Sequence, residues 1–431
     1  MGNVFLSILP CWHIFERTAE YYFLSRGCTL VYSNLRNFKT DLPKWKPHFL
    51  VVVPRLIETM QKGILSNFRS QTGVKKKLIE AFTKISTAFK SLYRCATDLQ
   101  VNATRGPLWQ RFLAGIFIIA LWPFHRIANL LVWSKVRANL GGRLRVIVSG
   151  GSKLSLAVET FFDMLDMNII VGYGLTETSP TITSRYIETN VLGSVGTPVP
   201  KTSIKVVDVE TRKELPKGQV GLILAKGPSV MAGYIRNEAA TKEAIDGDGF
   251  FNTGDLGRLN FSGDLVITGR AKDTIVLSNG ENVAPEPIEQ RLVMECPLID
   301  QAVLVGQDRR YLAGLFVLSV PELVAMGALS ESKGRELAAA IGGTPSLGIA
   351  GDESLLRREE TALNNNPLVT ARIADALAAA ARDCPPWEKV MAFHVLLVPF
   401  SISSGVLTQT LKVAHHFVPP VLFLISLKNL F

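Results

Sequence analysis

With 431 residues, 47% of them hydrophobic, the chain is long enough for two or three domains with real cores and too apolar to be intrinsically disordered. Five scattered cysteines (Cys11, Cys28, Cys95, Cys296, Cys384) form no Cys-x-x-Cys pair, which excludes a disulfide scaffold or zinc-ribbon spacing and fits reduced intracellular thiols. The formal net charge of +10 is concentrated, because residues 62–145 hold 15 Lys and Arg against only Glu80 and Asp98.

Residues 1–9 lack the basic start and cleavage site of a signal peptide. The stretch Leu9-Pro10-Cys11-Trp12-His13 follows, and a β-branched run, Val51-Val52-Val53, then meets Pro54. In residues 74–96, Leu78, Phe82, Ile85, Phe89 and Leu92 recur at helical spacing among Lys75, Lys77, Lys84 and Lys90, which predicts an amphipathic basic helix. Residues 112–124 are an uncharged run, shorter than the roughly 20 residues needed to span a bilayer, and Pro123, His125 and Arg126 interrupt its extension. It is not expected to span alone. An interfacial helix and a buried core helix both fit. The basic face of residues 62–145 suits an anionic membrane or an acidic protein, with an ordinary solvated face as the alternative. No segment has the pattern of a nucleic-acid module, so nucleic acid is not expected as a partner.

The runs Leu144-Arg145-Val146-Ile147-Val148 and Asn168-Ile169-Ile170-Val171 read as buried strands. Between them Leu154, Val158, Phe161, Phe162 and Leu165 recur at helical spacing, so the segment is strand, helix, strand and the two strands are parallel. Each strand ends in glycines, Ser149-Gly150-Gly151 and Gly172-Tyr173-Gly174-Leu175-Thr176-Glu177-Thr178. The second places hydroxyls and one carboxylate on what reads as a glycine-loosened turn. In open α/β sheets the ligand crevice lies off such strand ends, where glycines allow close backbone approach to a nucleotide.

From residue 193 to 268 short strands alternate with turn signals and predict a small β subdomain, with Asp255 at its edge after Thr253-Gly254. Asn279-Gly280 is a hairpin signal between residues 274–277 and 281–283. A helix from Pro285, strands at 301–305 and 312–318, an alanine-rich helix at 370–382 and a strand at 390–398 follow, while residues 329–360 read as a loose insertion. The domain boundary falls at 269–273.

Residues 172–178 resemble the core motif of the adenylate-forming enzymes. The resemblance is joined in order by residues 9–13, Asn252-Thr253-Gly254-Asp255-Leu256, Gly269-Arg270-Ala271-Lys272-Asp273 and Leu407-Thr408-Gln409-Thr410-Leu411-Lys412. It is greatest to long-chain acyl-CoA synthetases, and among them to the plastid and cyanobacterial acyl-carrier-protein type through residues 269–289 and Val305-Gly306-Gln307-Asp308-Arg309-Arg310. It implies an α/β fold with an incomplete large αβαβα domain (1–268, with a basic helical insertion at 56–140 and the β subdomain at 193–268), a hinge at 269–273 and a smaller α+β carboxy-terminal domain (274–413). It also implies ATP-dependent activation of a long-chain fatty acid through an acyl-adenylate, then transfer to the pantetheine thiol of CoA or acyl carrier protein.

By this resemblance Thr176 donates to the α-phosphate, Glu177 holds Mg²⁺, Tyr173 packs on adenine beside Gly151 and Ser152, and Gly172 and Gly174 shape the nucleotide site. Asp255 and Arg270 would fix the ribose, as an acceptor-only carboxylate and a fork of donors can. His13 would stand near the reacting carboxylate, and Lys412 would bring a cation to it and to the α-phosphate. Lys272 reads as the hinge, and Gly280 as the hairpin tip past which the pantetheine arm runs.

Two departures qualify the resemblance. The family's Thr/Ser/Gly-rich phosphate loop should lie upstream of Leu9, so an amino-terminal part is expected to be missing and the chain to be inactive alone. After Val413 residues 414–431 leave the family pattern in an apolar tail. A second reading is a noncatalytic, membrane-associated remnant that binds acyl chains or partners. The expected location is intracellular and membrane-associated, with a plastid implied by the resemblance only.

Overall fold

The computed structural model describes residues 2–102, 106–342, 353–382 and 384–400; Lys412 and the tail at 414–431 lie outside them. The chain divides into two compact units, Met1–Ile267 and Thr268–Phe431.

The first unit contains two sheets. Strands β1 (Val4–Ser7), β2 (Thr29–Tyr32), β3 (Phe49–Val52), β4 (Val146–Ser149), β5 (Asn168–Gly174), β6 (Thr181–Ser184) and β7 (Thr197–Pro198) form a sheet in the order β2-β1-β3-β4-β5-β6-β7. Its first five strands are parallel, and β6 and β7 continue it antiparallel. Short apolar runs such as Phe49-Leu50-Val51-Val52 are what a sheet covered on both faces requires. Leu6, Leu50 and Ile147 on one side pack with Val158, Phe162 and Trp133 from covering helices into the main core. Strands β8 (Ser203–Val207), β9 (Gly221–Lys226), β10 (Phe251–Leu259) and β11 (Leu265–Arg270) make the expected small sheet, in the order β11-β10-β9-β8.

The helices of this unit are α1 (Ile14–Ser25), α2 (Phe38–Trp45), α3 (Pro54–Arg69), α4 (Gly73–Ala96), α5 (Leu108–Ala128), α6 (Ser134–Asn139), α7 (Leu156–Met164) and α8 (Glu238–Ala244). The predicted amphipathic helix is α4. The structure corrects the reading of residues 112–124 as an interrupted run, because α5 continues through Pro123 and joins α6 through a π turn at Asn129–Trp133. A proline costs a helix one backbone hydrogen bond, and here Pro123 lies on the exposed side, where the unpaired carbonyl can meet water. The π turn inserts an extra residue and turns Trp133 into the core, where its Nε1 donates to Ser86 Oγ at 3.0 Å. A buried core helix is also excluded, since large apolar side chains of α5 are exposed along its length.

The hairpin of α4 and α5 is tied to the sheet by charge. Lys90 meets Asp166 at 2.6 Å and Arg94 meets Asp163 at 2.8 Å, just where α7 ends. Burial alone would raise the Asp166 carboxyl, but hydrogen bonds and charge from His125 and Lys90 hold it at about 2.

In the second unit, β12 (Ile275–Val276) and β13 (Asn282–Val283) pair antiparallel as the Asn279-Gly280 signal predicts. Gly280 sits at φ +86°, in the left-handed region that side-chain-bearing residues disfavour. Helix α9 (Pro285–Glu295) packs beside a sheet of β14 (Ile299–Val305), β15 (Leu312–Leu318) and β16 (Val390–Leu396), with β15 and β16 parallel. Helices α10 (Val320–Ala325), α11 (Glu331–Gly342), α12 (Glu353–Asn364) and α13 (Pro367–Ala380) complete it. The expected loose insertion at 329–360 is corrected at both its ends: α11 and α12 send Leu337, Leu356 and Leu363 into this unit's core, and Lys333 pairs with Glu359 at 3.1 Å. Their polar, alanine-rich sequence hid a narrow apolar stripe.

Candidate active site

The carboxyl ends of β4 and β5 lie side by side, paired in parallel register from Val146 with Asn168 to Ser149 with Val171. Gly151 is exposed and Ser152 half-buried just beyond β4. The predicted glycine-loosened turn is instead the end of strand β5, which runs through Gly172, Tyr173 and Gly174 before a 3₁₀ turn at Thr176–Thr178. The glycine at 174 is required by crowding rather than by a left-handed φ, because a Cβ there would lie 1.6 Å from the carbonyl oxygen of Pro180. Buried Thr178 closes the turn, accepting from the Leu175 N–H at 2.9 Å and donating to Pro180 O at 2.6 Å. Thr176 is exposed and Glu177 half-buried.

Two tyrosines hold the two carboxylates of the site. The Tyr173 hydroxyl donates to Asp255 Oδ2 at 2.7 Å, joining residues 82 positions apart. Asp255 sits where the β9/β10 register shifts between Asn252 and Leu256, a bulge that re-aims a side chain. The bulge is held by Thr253, whose hydroxyl donates to Ile223 O at 2.8 Å and accepts from the Asp255 N–H at 3.1 Å. The second tyrosine, Tyr234, was not foreseen: its hydroxyl donates to Glu177 Oε1 at 3.0 Å, while the Met231 N–H donates to Glu177 O at 2.8 Å. Burial and this bond to Glu177 raise the Tyr234 phenol. A lone tyrosine in a loop gives no periodic signal, which is why its role is invisible in sequence.

His13 caps α1, its Nδ1 accepting from the Phe15 N–H at 3.2 Å, so the neutral ring carries its proton on Nε2. One turn on, Glu16 is fully buried, and that burial pushes its carboxyl up to about 7. A carboxyl raised in the folded state binds its proton where the unfolded chain has lost it, so stability falls as pH rises from the ordinary value of 4.5 to about 7. The expected loss across that window is about 3 kcal/mol. Chemical denaturation at a series of pH values should show it, and Glu16→Gln should flatten the slope.

Behind β5 an unforeseen buried pair braces the site. Arg185, following β6, forks onto Glu159 of α7, its second nitrogen reaching Oε1 at 3.1 Å, and its Nε donates to Ser194 O at 2.7 Å. Asn190 adds a bond from its Nδ2 to Ile169 O of β5 at 3.1 Å.

Of the other expected site residues, Arg270 and Lys272 are exposed in the second unit, at the end of β11 and in a 3₁₀ turn at Ala271–Asp273, and Gly280 tips the β12–β13 hairpin. Lys412 lies outside the described residues. Among the described residues no group of three or more His, Cys, Asp or Glu could hold a metal by protein ligands alone.

The model of the AMP-binding enzyme family matches residues 1–235, more than half of the chain. The chain belongs to the AMP-binding enzyme family. The carboxy-terminal domain model of the same enzymes matches residues 272–336. The chain is 40% identical over 336 residues to "Probable acyl-activating enzyme 16, chloroplastic" of Arabidopsis thaliana, covering 73% of this chain and 46% of that protein. It is 37% identical to the Arabidopsis thaliana "Long-chain-fatty-acid--[acyl-carrier-protein] ligase AEE15, chloroplastic", covering 73% and 45%. The chain therefore spans about half the length of these curated relatives. Among solved structures, the adenylation domain of a carboxylate reductase from Mycobacterium chelonae superposes with a TM-score of 0.61 at 21% identity, over 99% of this chain and 54% of that one. The adenylate-forming fold is thus established, as the sequence motifs implied.

Proposed function

We propose that this AMP-binding enzyme activates a long-chain fatty acid with ATP through an acyl-adenylate and passes the acyl group to the pantetheine thiol of CoA or acyl carrier protein. The observation that carries this reading is the pair of tyrosine-held carboxylates, Asp255 on Tyr173 and Glu177 on Tyr234, off the carboxyl ends of the central strands. The name of the second plant relative supports the substrate class, and both names support a plastid location.

Attack of a fatty carboxylate on the α-phosphorus brings negative charges together, so oriented donors and cations must meet there. Thr176 is exposed just beyond β5, where its hydroxyl can donate to the α-phosphate. Glu177 fits Mg²⁺, because a hard ion takes one carboxylate plus phosphate oxygens, and Tyr234 engages Oε1 while leaving Oε2 for the ion. Mg²⁺ would supply neutralisation of phosphate charge. Tyr173 presents its ring for adenine while its hydroxyl orients Asp255 toward the ribose, and Arg270 is the second ribose contact. Gly151 and Ser152 border the adenine, with Gly172 and Gly174 keeping the strand end open to close approach. His13, with its proton on Nε2, is a donor for the reacting carboxylate. The basic region 62–145 provides contact with a membrane surface.

Lys412 and Gly280 serve different halves of the reaction, with Lys272 as the hinge between two closures. In a version of the enzyme that carries the phosphate loop, Lys412→Ala should lower adenylation by about a hundredfold or more yet leave conversion of supplied acyl-adenylate to thioester intact. Gly280→Leu should do the reverse. A Cβ at 280 has open space around it but is strained at φ +86°, so Gly280→Ala is the control for strain and the further loss in Gly280→Leu is what obstruction of the pantetheine arm explains. Fatty-acid-dependent exchange of pyrophosphate into ATP reads the first half, and thioester formation from acyl-adenylate the second. Equal losses in both assays for both variants would refute the division. Absence of any fatty-acid-dependent exchange by a wild-type version that carries the phosphate loop would favour the noncatalytic reading.

A further inference from the structure

Helix α5 is built inside out. The face it turns toward α4 carries its polar groups: Arg111 pairs with Asp98 at 2.6 Å, and buried His125 bonds Ser86 at 3.0 Å and stacks on Phe89. The outward face is apolar but for Arg126 near its end, with Phe112 72% and Ile119 77% exposed, Ile116, Phe117 and Trp122 about half exposed, and Leu130 of the following π turn 75% exposed. A soluble helix directs these groups the other way. From Leu108 to Asn139 the continuous helix is apolar and long enough to cross a membrane, and only 11% of its most apolar window is buried. No Asp or Glu occurs anywhere between Gly106 and Arg145. Exposed cations occur on the same helical hairpin, Lys75, Lys76 and Lys77 at the start of α4 and Arg126 and Lys135 on the α5–α6 helix.

We infer that α5 lies in the plane of a membrane with its outer face sunk into one leaflet and the hairpin's lysines and arginines at the anionic headgroups. This rests on the membrane contact proposed above and changes its nature from electrostatic attraction to apolar insertion. The charge supplies the complement to acidic lipid, and the exposed face supplies the depth. A crossing orientation does not fit the same contacts. The inner face of α5 is bound to α4, and α4 is bound through Lys90 and Arg94 to Asp166 and Asp163 beside the central sheet. Standing the hairpin upright would carry those charges into hydrocarbon. Lying flat, α5 is about 30 Å long, and its long cationic side chains can reach back to the headgroups. This places the enzyme where a long-chain fatty acid is dissolved.

The test uses the purified chain with two kinds of vesicle: phosphatidylcholine alone at high salt, and phosphatidylcholine with phosphatidylserine at low salt. Insertion predicts binding to both, with tryptophan quenching by shallow brominated lipid that falls in Trp109→Phe/Trp122→Phe. Phe112→Ser/Ile116→Ser/Ile119→Ser should weaken binding to both by about a hundredfold, with thermal unfolding unchanged because all three side chains are exposed. Lys75→Ala/Lys76→Ala/Lys77→Ala should weaken only binding to the acidic vesicles. Binding confined to acidic vesicles at low salt, without quenching, would overturn insertion and leave the surface contact standing. Binding to neither would overturn both. Quenching greatest from bromines at the bilayer centre would overturn the in-plane arrangement. A vesicle-independent dimer that the triple serine variant dissociates would assign the face to a second copy.

Discussion

Glu177→Ala, in a version of the enzyme that carries the phosphate loop, is expected to lower fatty-acid-dependent exchange of pyrophosphate into ATP by about a hundredfold, with the loss greatest at limiting Mg²⁺. The carboxylate is proposed to hold the ion at the phosphates, and alanine leaves nothing in its place. Tyr234→Phe supplies the finer test. It deletes only the hydroxyl that bonds Glu177 Oε1 at 3.0 Å, so the carboxylate remains but loses its orientation. The expected loss is about tenfold, the usual size of one hydrogen bond to a charged group. A profile in which Tyr234→Phe raises the Mg²⁺ requirement while leaving the ATP requirement alone would locate its effect in Glu177. Unchanged exchange in Glu177→Ala at limiting Mg²⁺ would remove the metal from that residue.

Arg185→Leu is expected to destabilise the first unit by about 3–5 kcal/mol, because it leaves the Glu159 carboxylate buried without its partner. Both side chains are almost completely enclosed, with the guanidinium also bonded to Ser194 O and Asn190 Oδ1. Replacing both members, as Glu159→Met/Arg185→Leu, should cost much less than the single change, since no charge is then stranded. Urea denaturation of the two variants checks this. A double variant as unstable as the single one would mean that the bonds to Ser194 and Asn190, rather than the ion pair, hold the loop. Because Asn190 also bonds Ile169 O of β5, the single variant should loosen the strand that carries Gly172, Tyr173 and Gly174.

The parallel strands β4 and β5 and the helix between them are legible because the hydrophobic period changes from continuous runs to helical spacing and back. Asn279-Gly280 likewise names its own hairpin. What sequence conceals is direction and partnership. Phe112, Ile116 and Ile119 are equally apolar whether a helix turns them inward or outward, so the choice between core and interface waits on the contacts of Arg111 and His125. Pro123 reads as an interruption, yet a helix with water on that side tolerates it. The stripe of Leu337, Leu356 and Leu363 is too sparse to stand out from its alanine-rich and charged surroundings. Among the proposed site residues, Tyr173, Glu177 and Asp255 stand out by their motifs, whereas Tyr234 and Arg185 are tied in by long-range bonds that no spacing rule encodes. The glycine at 174 is legible as a requirement, but its cause is the close approach of Pro180.

Isothermal titration with adenosine monophosphate tests the central claim, that Tyr173 and Asp255 form the adenosine end of an adenylating site. The chain is predicted to bind one nucleotide, with Asp255→Asn weakening the affinity by at least about tenfold, since an amide in place of the carboxylate turns a donor toward the ribose hydroxyls. Equal affinity in the wild type and Asp255→Asn, or no binding by the wild type, would contradict it.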